Sequence, residues 1–212
     1  MSTAAEGWQA VIPLKNLGRA KSRLELPPPV RRDLVVGFAQ DVIDACVQTG
    51  MIDEILVVAD RSWNEEIPAV AAVLPDSGHG LNHAIAMAAG VTTAQPRRLV
   101  IMGDLPCATG GELAGLLRAA PTDRMALVAD HSNSGTTVLM GPSAVGPAAD
   151  VWGHTRFGPE SFVAHMSDGA VDLTPTVGVG LRWDVDDHAD LIQAVRLGVG
   201  AYTSAALAAH DL

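Results

Sequence analysis

Short aliphatic and β-branched runs alternate along the chain with longer stretches whose apolar positions recur at helical spacing. Ala10-Val11-Ile12, Glu54 to Ala59, Arg98 to Met102 and Met125 to Ala129 carry no polar face, the mark of strands covered on both sides. Between them Leu34, Val35, Phe38, Val42, Ile43, Cys46 and Val47 predict a helix over about 30–49, and similar patterns predict helices over about 80–93 and 110–120. Strand, helix, strand, helix in this order predicts an α/β three-layer sandwich, a mostly parallel central sheet joined by right-handed crossovers. Later the pattern changes. Ser134 to Met140 alternates and suits an antiparallel strand, and the Gly- and Pro-rich stretch 141–160 holds little regular structure. A short helix near 160–167 follows, then a final strand close to Gly180-Leu181-Arg182-Trp183 and a helix beginning around Asp187, capped by Asp186 or Asp187. No internal repeat or low-complexity linker divides the sequence, so residues 1–212 are expected to form one domain.

Composition narrows the function classes. With 48% hydrophobic and 18% charged residues the chain can build a sizeable core. Its net charge is −10, yet six of its 14 basic residues (Lys15, Arg19, Lys21, Arg23, Arg31, Arg32) lie between positions 15 and 32, including both lysines. An acidic body repels a long polyanion, whereas one basic loop, stiffened at its end by Pro27-Pro28-Pro29, can draw in a small phosphorylated ligand. The scattered aromatics offer no base-stacking platform, so nucleic acid is not an expected partner. Nor is a membrane: no long apolar run or signal-like N-terminus is present, which predicts a cytoplasmic protein. Cys46 and Cys107 read as separate buried thiols.

In open α/β sheets ligands bind at the carboxyl ends of the strands, so the residues just after each strand matter most. After the first comes Pro13-Leu14-Lys15-Asn16-Leu17-Gly18-Arg19-Ala20-Lys21-Ser22-Arg23-Leu24, whose cations suit a polyphosphate; a solvated surface loop is the alternative. After the strand at 98–102 stands Gly103-Asp104-Leu105-Pro106, and near the end Asp184-Val185-Asp186-Asp187, whose alternate carboxylates project to one side. Asp104, Asp184 and Asp186 can together hold a divalent ion such as magnesium, which takes a few carboxylates plus waters and phosphates. Alternatively, Asp104 caps the helix near Thr109 and the aspartate cluster caps the last helix. Gly80-Leu81-Asn82 opens a helix where amides and the Asn82 side chain suit a nucleobase or phosphate. His79 and His83 lack the glutamate of a zinc-binding HExxH helix and read as surface residues. Ser132 to Thr136 and Arg156 to Ser161 suit a second small anion, though ordinary loop composition explains either. No nucleophile elbow appears, and the histidines show no carboxylate partner in sequence, so acyl transfer has no support.

The ordered series Ile12-Pro13-Leu14-Lys15, Ala20-Lys21-Ser22-Arg23-Leu24, Gly80-Leu81-Asn82, Gly103-Asp104-Leu105-Pro106, Gly135-Thr136, Arg156-Phe157-Gly158-Pro159-Glu160-Ser161 and Asp184-Val185-Asp186 resembles the guanylyltransferases of coenzyme F420 biosynthesis, called CofC or FbiD. The resemblance covers nearly the whole chain. It implies a GT-A-like nucleotidyltransferase fold, akin to the molybdenum-cofactor guanylyltransferase. The implied reaction joins GTP to phosphoenolpyruvate or 2-phospho-L-lactate, giving enolpyruvyl- or lactyl-diphospho-5'-guanosine and pyrophosphate. Under it Asp104, Asp184 and Asp186 match magnesium ligands and Thr136, Gly158 and Ser161 match contacts to the phosphoacid. Lys15 and Lys21, with Arg19, fall in the basic loop at the phosphates; Gly80, Leu81 and Asn82 fall at the nucleotide. Lys15, Lys21 and Asp104 are the expected catalytic set. The chain has PLKNLGRAKSRL where related enzymes open with LxAGGxSxRMGxxK. Its Ala/Gly/Val-rich composition suits a high-GC source, for which the family is taken to use phosphoenolpyruvate. A sugar-nucleotide glycosyltransferase of the same fold and a non-catalytic nucleotide-binding domain are the alternatives, and a homodimer is left open.

Overall fold

The computed structural model describes residues 7–91, 97–143 and 152–212. Its sheet contains β1 (Trp8–Pro13), β2 (Ile52–Ala59), β3 (Ala72–Pro75), β4 (Arg97–Ile101), β5 (Ala126–Ala129), β6 (Thr136–Met140) and β7 (Val171–Asp172), in the order β3-β2-β1-β4-β6-β5-β7. β1 pairs parallel with β2 and β4, β2 with β3, and β5 with β7; β6 runs antiparallel to β4 and β5. The alternating segment before residue 141 is thus the reversed strand that its pattern predicted.

Two faces explain why the central strands lack polar positions. Ala10 and Ile12 of β1, with Val57, Leu99 and Ile101, pack under α1 (Pro28–Gln48) and α3 (Gly110–Ala119). Val11, with Leu56, Val58 and Val100, packs against Ala84, Ile85 and Ala88 of α2 (Leu81–Val91). Burying each large side chain of this kind contributes roughly 1.5–3 kcal/mol. The end expected for α2 at 93 and the core of the 141–160 stretch, residues 144–151, lie outside the described residues. α1 starts at Pro28-Pro29, where the fixed φ suits a first turn and a missing N–H costs nothing.

A third apolar cluster positions the charged loops. Leu24 at the end of the basic loop, Leu34 and Phe38 of α1, Val185 of the aspartate cluster, and Leu191 and Ala194 of α5 (His188–Leu197) bury one another. Val185 is fully buried and the flanking Asp184 and Asp186 turn away from it, Asp186 toward Lys21 of the loop that Leu24 anchors and Asp184 toward His131.

Two expectations need correction. No strand forms at Gly180–Trp183; Val179–Leu181 make a 3-10 turn. The place beside β5 is taken by β7, and Leu181 instead packs under the sheet with its carbonyl accepting from Thr137 Oγ1 at 2.7 Å. Second, α6 (Ala201–Ala209) follows α5, its first amides bound by Asp41 in the middle of α1. Tyr202 N–H donates to Asp41 Oδ1 (2.9 Å) and Thr203 N–H to Oδ2 (3.0 Å). Gly37, one turn earlier, admits this approach: a β carbon there would lie 3.1 Å from the Thr203 backbone. Asp41→Ala should cost about 1–3 kcal/mol by leaving buried amides without an acceptor. Urea unfolding checks this, and the catalytic rate of the folded fraction should not change.

Candidate active site

β1 connects to β2 on one side and has β4 on the other, so the strand order reverses at β1 and a crevice opens at the carboxyl ends of β1 and β4. A cavity of about 510 Å³ lies there, within the range of roughly 300–1,000 Å³ common for small-molecule sites. Its walls are the basic loop from Pro13 to Arg23, the Met102-Gly103-Asp104 turn after β4, Asp186, and the turn after β3 that carries Asp76, Gly78, Gly80 and Leu81. Of the sequence-predicted nucleotide residues, Lys15, Arg19, Lys21, Gly80, Leu81 and Asp104 all line it. Trp63 and Asp76, which carried no signal in the sequence, line it too; Trp63 holds the loop by donating its indole N–H to the Lys15 carbonyl at 2.9 Å.

At one end Lys21 bridges two carboxylates, its Nζ 2.5 Å from Asp104 Oδ2 and 2.7 Å from Asp186 Oδ1. Arg23 reaches Asp186 Oδ2 at 3.4 Å. Lys21 adopts left-handed backbone (φ 52°), uncommon for a residue with a β carbon and concentrated at functional sites. Burial works to lower the Lys21 pKa, but Asp104 and Asp186 outweigh it and hold the ammonium above the ordinary lysine value. Burial likewise pushes Asp186 upward, and Lys21, then Arg23 and Lys15, hold it below the usual range.

These carboxylates are not helix caps. Thr109 caps α3, accepting from the Glu112 N–H at 3.2 Å. Asp187 caps α5 in a reciprocal box with Asp190. Asp104, Asp184 and Asp186 are thereby left for another task.

Asp184 has no lysine or arginine on it among the described residues, and burial followed by Asp104 raises its pKa to about 6. His131 is its partner, Nδ1 3.1 Å from Asp184 Oδ1, with the imidazole stacked on Trp183 at 4.3 Å. His131 sits 53 residues from Asp184, a pairing that nothing in the sequence indicates.

The other expected group gathers elsewhere. Thr136, at the start of β6, meets His165 of α4 (Ser161–Ser167), its Oγ1 3.0 Å from Nδ1. Arg156 N–H donates to His165 Nε2 at 3.0 Å, and Ser161 N–H to the Gly158 carbonyl at 3.2 Å. Gly158 has φ 144°, a conformation that favours glycine. Thr136, Gly158 and Ser161 therefore share one neighbourhood, beside the cavity and not among its lining residues. Asn82 does not present its amide to the cavity. It clasps that neighbouring loop, Nδ2 donating to the Phe157 carbonyl (2.9 Å) and Oδ1 accepting from Phe157 N–H (2.9 Å) and Thr155 Oγ1 (3.0 Å).

Burial lowers the His165 pKa to about 4, Asp168 working against the shift and Arg156 adding to it. A free histidine titrates near 6.5, so on acidification the unfolded chain binds the proton first. This contribution to stability is complete above about pH 6.5 and is lost as pH falls toward 4, by up to about 3 kcal/mol. Urea midpoints of wild type and His165→Gln at pH 7.5 and 5 check it: the wild type should lose more on acidification than the variant.

For a divalent cation the donors are hard oxygens. Among the described residues Asp104 Oδ1 is buried with no hydrogen-bond partner and no lysine or arginine sits on Asp184, so this pair fits a metal ion. Among the described residues no three acidic, histidine or cysteine side chains surround one point, and the Lys21 ammonium bridges Asp104 and Asp186.

The sheet order, the crevice and the facing cations and carboxylates define a nucleotidyltransferase of the GT-A-like α/β kind. Solved structures share the fold. A nucleotidyl transferase from Methanothermobacter matches at TM-score 0.61 and 14% identity over 88% of this chain and 95% of its own. A Mycobacterium tuberculosis protein, solved as a manganese complex, matches at TM-score 0.57 and 14% identity over 91% and 100%. Residues 8–207 match the family described as guanylyl transferase CofC like, and the chain belongs to that family. Proteins named phosphoenolpyruvate guanylyltransferase from Frankia casuarinae and Streptomyces coelicolor are each 36% identical over 95% of this chain, covering 77% and 96% of their own lengths.

Proposed function

We propose that the chain transfers the guanylyl group of GTP to phosphoenolpyruvate, releasing pyrophosphate. The observation that carries this reading is the meeting of Lys21, Asp104 and Asp186 at the carboxyl edge, in a chain whose curated relatives bear that name. A phosphate oxygen of the acid attacks the GTP α-phosphorus, and the bond from that phosphorus to the bridging oxygen of the β-phosphate breaks. The attacking phosphate is largely ionised near neutral pH, with a second pKa of about 6, so the step needs no general base. Alignment and charge neutralisation are what the protein must supply.

Lys15, Arg19 and Lys21 hold the triphosphate; Lys21, already between two carboxylates, is placed to follow the charge that moves onto the leaving pyrophosphate. Asp104 and Asp184, with Asp186, hold the metal. Magnesium is the ion of this reading, and the manganese bound by a protein of the same fold supports divalent-ion use. Bound there, such an ion supplies Lewis-acid neutralisation of phosphate charge. Gly80 and Leu81 form the wall for the nucleoside, with Asn82 holding the loop behind it, and Thr136, Gly158 and Ser161 hold the acid. A cytoplasmic setting agrees with two free, buried cysteines, and no helix among the described residues is long and apolar enough to cross a membrane. The test crosses GTP, ATP and CTP with phosphoenolpyruvate, 2-phospholactate and 3-phosphoglycerate in a pyrophosphate-release assay, coupled to a reaction that consumes the labile product. Release is expected with GTP and phosphoenolpyruvate; GTP binding without turnover on any acid would overturn the reading.

A further inference from the structure

We propose that His165 is a positioning residue for the acid substrate: it holds the Thr136 hydroxyl as a hydrogen-bond donor aimed at an anionic oxygen of the phosphoacid. This rests on the reading that the acid lies against Thr136.

The protonation pattern follows from the partners. A backbone N–H can only donate, and Arg156 N–H points at His165 Nε2 from 3.0 Å, so Nε2 carries its lone pair and no hydrogen. The ring is neutral, as its burial and its low pKa require, so its single N–H is on Nδ1. Nδ1 lies 3.0 Å from Thr136 Oγ1; there the imidazole donates and the hydroxyl accepts. One hydrogen remains on Thr136, and the hydroxyl makes no other hydrogen bond among the described residues. Thr136 is 5% exposed, and a buried hydroxyl hydrogen without an acceptor is unfavourable. An anionic oxygen satisfies it. Donation from Nδ1–H also polarises the hydroxyl and strengthens it as a donor.

The surroundings fix the ring. Phe157 packs edge-on against it at 5.1 Å and 73°, and Asn82 locks Phe157 through both its N–H and its carbonyl. The charged groups that act on the ring, Asp168 and Arg156, pair with each other at 2.8 Å. The imidazole thus has a structural tie on one nitrogen and a directing bond on the other.

Three variants separate those ties, each compared by KM for phosphoenolpyruvate at saturating GTP and by KM for GTP at saturating acid. Thr136→Val removes the donor. His165→Gln keeps an acceptor for Arg156 but loses the Nδ1 donor, whereas His165→Asn keeps a donor for Thr136 and loses the acceptor. Thr136→Val and His165→Gln should each raise the acid KM about tenfold or more, leaving the GTP KM unchanged, and His165→Asn should recover most of the loss. If Thr136→Val raises the acid KM but His165→Gln does not, or if His165→Gln raises both KM values alike, the positioning role is wrong. If Thr136→Val itself leaves the acid KM unchanged, the placement of the acid on Thr136 fails, and the positioning role with it. Imidazole 15N shifts of the wild type at pH 7 provide a readout independent of activity: a hydrogen on Nδ1 of His165 is expected, and one on Nε2 overturns the assignment.

Discussion

Asp104→Asn lowers guanylyl transfer by about a thousandfold or more while the protein stays folded. The residue meets the site three ways: one oxygen on Lys21, one buried oxygen without a partner among the described residues, and a charge that adds to burial in raising the Asp184 pKa. Asparagine keeps the shape and removes the charge, so the metal loses one of its charged ligands and the lysine loses one of two anchors. The fold has no comparable stake. The bond from Val185 N–H to this residue uses the Asp104 carbonyl, which asparagine retains, and α3 is capped by Thr109. Steady-state pyrophosphate release with far-ultraviolet circular dichroism separates the two effects. Near-normal turnover at saturating magnesium would remove Asp104 from the metal site.

Lys21→Met produces a double effect. Turnover should fall by about a hundredfold or more, because a positioned cation at the developing pyrophosphate charge is lost. Stability should fall as well, since Asp104 then loses its lysine partner and Asp186 keeps only Arg23. Breaking a buried pair can cost several kcal/mol, but the Asp186 side chain is 47% exposed and solvent screening reduces the figure to about 1–2 kcal/mol. Added magnesium should recover part of that loss, and should raise the melting temperature of the variant more than that of the wild type. Equal shifts in the two proteins would show that Lys21 and the metal do not share the carboxylates.

How much of this was readable from the residues depended on how local the signal was. β1, β2, β4 and β5 are buried on both faces, and their apolar runs say so without help from the rest of the chain. β3 is a short edge strand with Ala72, Val73 and Pro75 exposed, and Pro68 and Pro75, which bound its apolar stretch, read as loop. α6 is alanine-rich with little contrast between its faces, and the residue that binds its first amides, Asp41, lies some 160 positions away in α1. Gly180–Trp183 has the composition of a strand, but the sheet edge it would need is already filled by Val171–Asp172.

The same division runs through the site. Lys21, Asp104, Asp184 and Asp186 stand just after strands or beside a buried valine, and the rule that ligands bind at the carboxyl edge selects them. His131 and His165 pair with partners 53 and 29 residues distant, and the sequence gives no sign of either separation. Asn82 shows the converse error. Its place at a glycine turn suggests a free amide, but the fold uses three of the four hydrogen bonds that amide can make on Phe157 and Thr155.

The central claim is attack on the α-phosphorus of GTP by a phosphoacid, and isotope placement tests it most directly. Incubated with phosphoenolpyruvate and magnesium, GTP labelled at the α-phosphorus should pass its label to the acid conjugate, and GTP labelled at the γ-phosphorus should yield labelled pyrophosphate. Transfer of the γ label to the acid, or release of the α label only as free GMP, would contradict the account.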